Sequence, residues 1–547
     1  MPRLLSLLAS LLLALPSAWL TGCRTNPVSG REEIVLMSEE DEQEIGDQAA
    51  RQVSAELGIV DDPALSAYIE QLGRRLAQFS PRQDLDYSFQ IVEMEEPNAF
   101  ALPGGYIYVS RGLLALANSE AEVANVLAHE IGHVAARHAA QRDTAAKAAT
   151  LLTLLGVAAA AASSGDGRSV AGMQFLGQGL LASYSRGQER QSDRIAIELT
   201  TAAGIDPGGM ARFLKQLDNS TRLQTGASRA PGFFDTHPAT RERFAEATTR
   251  AQVAQLRDPD RAPSEDERPL RLKTAPGPVI DRSFVPAGAT DPSPDFAIAP
   301  TQREFFDRID GLVVGPAARE GVFRENIFLH ADLGISLRFP PGWVYQNMSS
   351  QVIAVAPDGD AIARLELAGD GDDPRAAAAE FADREGVTLS AGTPIRIGGL
   401  RAFRANAVIQ AGGARADALV TWVAYDGRVY QLAAGTLDSS FPKYDGILRS
   451  FARGFRPLTP EQRQEIDELR LRIAVARPGE TLARLSKRTE NEWNLNETAV
   501  SNALFVEEVL AGGQLVKIAR REPYVAPPAP PPEDAPAEAP VQGPAPP

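Results

Sequence analysis

The sequence predicts a multidomain chain. A mainly α-helical N-terminal domain with a small β-sheet comes first, then an α+β domain with an antiparallel sheet, then a small terminal module. Three observations carry this. The chain has 547 residues, room for three or so domains. Helix-start signatures cluster before residue 255, whereas turn-bounded runs rich in strand-forming residues cluster between 327 and 457. A stretch at 256–300, rich in Pro, Asp, Arg and Ala, reads as the linker between them.

The first 23 residues form a targeting segment and stand outside the fold. Arg3 is followed by an apolar run from Leu4 to Leu20, and Leu20-Thr21-Gly22-Cys23 resembles a lipobox, where bacterial lipoproteins are cleaved and lipidated. Cys23 is the only cysteine, so the chain has no intramolecular disulfide. The expected location is periplasmic, lipid-anchored at Cys23. No Asp follows the cysteine as an inner-membrane retention signal, and this favours the outer membrane. The net charge of −16 argues against nucleic acid as a main partner.

Helices follow. Ser38 precedes Glu39-Glu40-Asp41 as an N-cap with acids in the first turn, and a second helix runs from Pro63 to about Gln78. Tyr87 to Val92 and Ala99 to Val109 read as strands, the second broken at Pro103-Gly104-Gly105. Asn98, Ala99 and Phe100 stand at the start of the second run, which reads as an ordinary structural hairpin and, should it be a sheet edge beside a metal site, also as a strand that holds an extended substrate by its backbone. Ser119 to Glu122 has capping-box spacing and opens a largely apolar helix.

That helix carries His129-Glu130-Ile131-Gly132-His133. The chain has five histidines, and two of them stand four apart here. On a helix that spacing puts both imidazoles on one face, within reach of one zinc ion. Glu130 then sits where it can take a proton from a metal-bound water. The motif reads as the centre of a metallohydrolase with one Zn2+ per chain. The extended spacing HExxHxxGxxH is absent, because Ala136 and Ala139 occupy its last two defined positions. His138 misses that position by one residue, and on a continuing helix it turns away from the metal as a surface or packing residue. The other way to supply a third ligand is a carboxylate from a second helix, and Ser185 to Asp193 fits that role unless it is a plain solvated charged helix. Glu189 and Asp193 share a helix face, Glu189 reading as a zinc ligand and Asp193 as the acid on the far nitrogen of a ligand histidine.

Several ordered motifs carry a family resemblance. They are Asn98 to Tyr106, HEIGH, Ser185 to Asp193, and Thr236-His237-Pro238 with Arg243. Residues 25–255 resemble a bacterial M48 zinc peptidase of the gluzincin type. The family commonly has E-x-E/Q-A-D at the third-ligand helix, and here Ser192 replaces the alanine. The resemblance implies that His129, His133 and Glu189 bind zinc, that Glu130 is the base, and that Asp193 supports. It also implies that His237 can occupy the open zinc position, although a plain loop histidine beside a proline is equally open at this point. Protein or peptide substrates of the cell envelope, and quality control at the outer membrane, are implied by resemblance only. Two other readings stand beside it: a chaperone-like envelope assembly factor with a plugged zinc site, working with outer-membrane assembly machinery, and a peptidoglycan-associated binding protein.

The remainder is read more coarsely. Ala148 to Ala162 is uncharged but shorter than the roughly 20 residues of a span, and reads as a buried or lid helix. Residues 301–457 form the α+β domain, opened by a short helix near 302–309. Its entry, a strand running into Pro340-Pro341-Gly342-Trp343, resembles PsbP-like domains. Residues 472–521 resemble a LysM module, which implies glycan binding, although Asn502-Ala503-Leu504 departs from the usual Asn-Gly-Leu turn. Residues 522–547 are rich in Pro and Ala and carry too little apolar surface for a core.

Overall fold

The computed structural model describes residues 23–144 apart from 29 and 36, residues 183–223, 233, 237, 243, 245–246, 248–250 and 299, and residues 301–525 apart from 349, 412–413 and 438–440. Residues 1–22 of the targeting segment, the Ala148 to Ala162 run, nearly all of the 256–300 linker and the tail from 526 lie outside the described residues; Cys23, expected to stand outside the fold, instead pairs with Ile34.

Two compact units emerge. The first comprises residues up to Pro316, Met348–Ser350 and Leu469–Arg521; the second comprises Ala317–Asn347, Gln351–Glu468 and residues from Glu522. In the first unit, Cys23–Thr25 (β1) pairs antiparallel with Glu32–Ile34 (β2). Helix α1 (Glu39–Leu57) begins at Ser38, whose hydroxyl accepts from the Asp41 amide while the Asp41 carboxylate accepts from Ser38 in return. Helix α2 (Pro63–Ala77) is capped by Asp62, with Pro63 in the first turn.

Strands β3 (Ser88–Val92), β4 (Ala99–Ala101) and β5 (Tyr106–Ser110) form a sheet in the order β3-β5-β4, with β3 parallel and β4 antiparallel to β5. β4 is therefore an edge strand. A short helix α3 (Arg111–Leu116) leads to α4 (Glu120–Ala135), which is buried along almost its whole length and carries the HEIGH residues. The expected capping box at Ser119 does not form, because the Ser119 side chain makes no cap bond and Glu122 accepts from the Asn118 amide instead.

Helix α5 (Arg186–Ala202) starts with a capping box between Ser185 and Gln188 and packs on α4. Gly132 permits that approach, since a Cβ there would lie 3.0 Å from the Ser192 Cα. Helix α6 (Gly209–Leu223) completes the helical layer. Helix α7 (Gln302–Ile309), expected to open the α+β domain, belongs here instead, because Phe305, Phe306 and Ile309 are buried in the first unit's core.

The second unit is two antiparallel sheets. Strands β6 (Val322–Arg324), β7 (Ile327–His330), β8 (Ile335–Arg338) and β16 (Arg456–Pro457) form one, in the order β16-β8-β7-β6. The other has the order β12-β13-β14-β15-β11-β10-β9. It is built from Val344–Asn347 (β9), Gln351–Val355 (β10), Ala361–Asp370 (β11), Val387–Ile397 (β12), Leu400–Ala411 (β13), Ala414–Tyr425 (β14) and Arg428–Leu437 (β15). Alternation decides what covers it. On β14, Ala418, Val420 and Trp422 join Ala378 and Phe381 of α8 (Pro374–Ala382). Val423, of opposite parity, joins Tyr444, Leu448 and Phe451 of α9 (Phe441–Phe451), which covers the other face.

Residues Leu469–Arg521 join the first unit rather than forming a free-standing terminal module. They contain α10 (Leu482–Thr489) and α11 (Leu495–Ser501) between the two paired strands β17 (Asp467–Val475) and β18 (Leu515–Pro523). Leu482, Leu485, Val516 and Ile518 belong to a small core of their own. Lys517 breaks the apolar pattern of β18. Its fully buried ammonium donates to the carbonyls of Ala115, Leu116 and Ala117 at 2.7, 2.9 and 2.6 Å, at the C-terminal end of α3. A cation belongs at that end of a helix dipole. Burial pushes this lysine down to about 7, against the opposing pull of the Glu122 charge. Lys517→Met fills the same space without donors, so three buried carbonyls lose a partner. The expected loss is about 2–4 kcal/mol, read as a lower thermal unfolding midpoint.

Candidate metal centre

The two helices α4 and α5 define the site. One turn of α4 separates His129 from His133, and their Nε2 atoms stand 3.0 Å apart. From α5, Glu189 reaches across so that its Oε1 lies 3.4 Å from His133 Nε2 and its Oε2 3.6 Å from His129 Nε2. His237 enters from the chain beyond α6, with Nδ1 3.3 Å from His129 Nε2 and 3.0 Å from Glu189 Oε1. All four side chains are buried, and one donor atom from each lies within 4.8 Å of every other.

These separations fit a metal ion. Tetrahedral zinc with ligands at 2.0–2.2 Å has donor–donor edges of about 3.3–3.6 Å, and the observed spacings bracket that range. Three imidazoles and one carboxylate are also the donor types zinc takes. Beside them, both Glu130 oxygens are buried without a hydrogen-bond partner, and Oε1 lies 3.4 Å from His237 Nε2. Burial raises the Glu130 carboxyl above its ordinary value, which makes it a stronger base than a carboxylate in water.

Asp193, one turn beyond Glu189, stands 2.9 Å from His129 Nδ1 through its Oδ1. Burial alone would lower His129, but the Asp193 contact and charge hold it above its ordinary value. Arg243 clamps Asp193 with two bonds of 2.8 Å and also contacts Glu189. Burial alone would raise the Asp193 carboxyl, but His129 and Arg243 hold it below the usual carboxylate range.

His237 is braced on the edge-strand side. Phe233 stacks on its ring at 4.4 Å, the His237 amide donates to the Phe233 carbonyl, and the Phe233 amide donates to the Pro97 carbonyl just before β4. Tyr184 covers His133 at 3.7 Å between ring centroids. The structure also finds a residue that sequence reasoning turned away. Of the two roles expected for it, surface or packing, His138 takes the second: it is fully buried and stands outside the donor cluster, but its Nδ1 lies 3.0 Å from His133 Nδ1 instead of turning away. Helix α4 ends at Ala135, and Arg137 adopts φ 57°, so the helical phase does not extend to His138. Burial keeps the His138 imidazole down at about 4. The two short steps between apolar residues, Ala135-Ala136 and Ala139-Ala140, carry no breaker that would have announced the turn. Of the other expected positions, Asn98, Ala99 and Phe100 are buried at and beside the edge strand, and Cys23 opens β1.

The description "Peptidase family M48" fits residues 63–251. The chain is 32% identical over 249 residues to the beta-barrel assembly-enhancing protease of Yersinia pestis, covering 44% of this chain and 49% of that protein. It is 32% identical over 216 residues to the protein of the same name from Escherichia coli (strain K12), covering 38% and 44%. Against the metalloprotease LoiP of Escherichia coli (strain K12) it is 31% identical over 237 residues, covering 41% of this chain and 88% of LoiP. The chain thus spans about half the length of the first of these relatives and most of LoiP. Among solved structures, cyanobacterial PsbP from Synechocystis sp. PCC 6803 matches at 12% identity with a TM-score of 0.22, covering 26% of this chain and 98% of that one.

Proposed function

The chain belongs to peptidase family M48, and from that premise we propose that it is a zinc-dependent endopeptidase acting on proteins of the cell envelope. The observation that carries this is the buried cluster of His129, His133 and Glu189 with the Glu130 carboxylate beside it, neither of its oxygens hydrogen-bonded. His129, His133 and Glu189 hold the zinc. Bound there, the ion supplies Lewis acidity, polarising the scissile carbonyl and activating a water. Glu130 takes the proton of the attacking water at its carboxylate and returns it to the leaving amine. Asp193 fixes the tautomer of His129, and Arg243 fixes Asp193. Substrate backbone pairs with the outer edge of β4 at Asn98 to Ala101, so capture depends on extended conformation more than on side-chain identity.

His237 supplies a fourth donor, where a catalytic zinc site keeps a position for water. Its other nitrogen faces the base. In this reading the resting site is closed, and the Phe233–Pro97 brace must yield when substrate arrives along β4. His237→Ala is then expected to raise casein cleavage several-fold in protein lacking residues 1–23, with one zinc per chain retained by elemental analysis. An unchanged or lower rate at full zinc content would remove the plug and leave the peptidase reading standing. Zinc-free native protein would remove both.

The location and partners follow the same reading. No helix among the described residues is long and apolar enough to cross a membrane. A lipid anchor at Cys23 holds the protein to the outer membrane from the periplasmic side. The relatives' name, beta-barrel assembly-enhancing protease, supports a partner in β-barrel assembly; in this reading the substrates are stalled or misfolded envelope proteins. The closed arrangement of His237 favours a second reading beside proteolysis, a chaperone-like role in assembly that would survive Glu130→Gln. Glycan binding by residues 472–521 is read out by retention on purified peptidoglycan.

A further inference from the structure

We propose that His138 and Gln191 are positioning residues for the zinc site, forming a neutral hydrogen-bond relay that holds His133 in its metal-binding tautomer. The proposal rests on the reading that His133 binds zinc through Nε2. That role needs a lone pair on Nε2, so the His133 proton must sit on Nδ1. The Nδ1–H of His133 points at His138 Nδ1, 3.0 Å away, which must then accept. His138 therefore carries its proton on Nε2, and Gln191 Oε1 lies 3.2 Å from that atom. Each donor along the line meets an acceptor, and only one direction is compatible with metal binding. With the Gln191 amide reversed, both histidine protons would shift one place, and His133 would present N–H to the zinc.

The fold builds this relay on purpose-placed backbone. Arg137 at φ 57° turns His138 back onto His133, in a conformation a non-glycine residue adopts rarely. That turn is held in place by Arg137 itself, whose guanidinium donates to Glu42 at 3.1 Å and to the Met37 carbonyl at 3.0 Å. Glu42 is shared with Arg82 at 2.9 Å. Ser192 Oγ approaches the same His138 nitrogen at 3.4 Å, the longer of the two approaches. Helix α5 thus serves both ligand histidines from one stretch: Asp193 backs His129 with a charge, and Gln191 backs His133 without one. The two ligands differ in basicity as a result, because a carboxylate partner strengthens an imidazole donor more than a neutral imidazole does.

The test is zinc affinity of protein lacking residues 1–23, by competition with a chromogenic chelator, with thermal unfolding of the metal-free form alongside. His138→Leu keeps the packing and removes the acceptor; His138→Gln keeps an acceptor and a donor. The expected result is an affinity drop of about 10–100-fold for His138→Leu, largely restored in His138→Gln. Should His138→Leu fail to fold, Gln191→Leu decides at the outer end of the relay, with a several-fold drop expected that Gln191→Glu does not share. Equal affinities in the Leu and Gln variants at 138, or native affinity in Gln191→Leu, would overturn the relay. Native protein that takes up no zinc would instead overturn the metal site on which it depends.

Discussion

Glu130→Gln is expected to lower casein cleavage by about 10²–10⁴-fold while zinc content stays at the native level. The two side chains have the same shape, so the substitution leaves the packing around α4 unchanged. What it removes is the ability to hold a proton. Glu130 sits in a buried pocket with neither oxygen hydrogen-bonded, and burial lifts its carboxyl above the ordinary value. A carboxylate in water would be a weak base at neutral pH, and this one is poised higher. An amide there cannot accept the proton of the attacking water, yet His129, His133 and Glu189 remain to hold the ion. Equal cleavage by native and Glu130→Gln protein at matched zinc content would sink the peptidase reading.

Arg243→Met is expected to cost about 3–5 kcal/mol of stability, the scale for stranding a buried charge, and to lower zinc affinity with it. Arg243 forms two bonds of 2.8 Å with Asp193 and also contacts Glu189, and all three groups are buried. Methionine fills the volume and leaves two carboxylates without their counter-charge. The sign of the pH dependence follows from Asp193, whose carboxyl is held below its ordinary value in the folded chain. Such a group stabilises fully above its unfolded value of about 3.9 and loses that contribution as pH falls through the folded value. The gap in unfolding midpoint between native and variant should be widest near neutrality and shrink in acid. A gap that is absent at pH 7, or one that widens on acidification, would remove Arg243 as the counter-ion.

The parts of this site that were legible in the sequence are the ones that a single helix encodes. His129 and His133, and again Glu189 and Asp193, are four apart, and helical repeat alone puts each pair on one face. Their convergence required knowing that two helices cross, and Gly132 over Ser192 marks that crossing only once the structure is in hand. His138 was misplaced for the same reason in reverse: the phase argument held α4 to its period past Ala135, and a single left-handed residue, Arg137, cancels it. Helix α7 was assigned to the wrong neighbour, since an amphipathic pattern says that a face is buried but not against what. Lys517 is the extreme case. A lysine inside an apolar strand reads as exposed, and only contacts some 400 residues away in the chain reverse that.

That distance sets an order of events during synthesis. The carbonyls of Ala115, Leu116 and Ala117 are made early, and the ammonium that caps them is among the last parts of the fold to emerge. They lie immediately before the helix that carries His129, Glu130 and His133. A growing chain therefore holds His129, Glu130 and His133 long before it holds the residue that caps the carbonyls in front of their helix. Loss of the chain from about residue 515 onward would strip those three carbonyls of their cap, at a point far from the cut in sequence and directly before the helix of His129 and His133 in the fold.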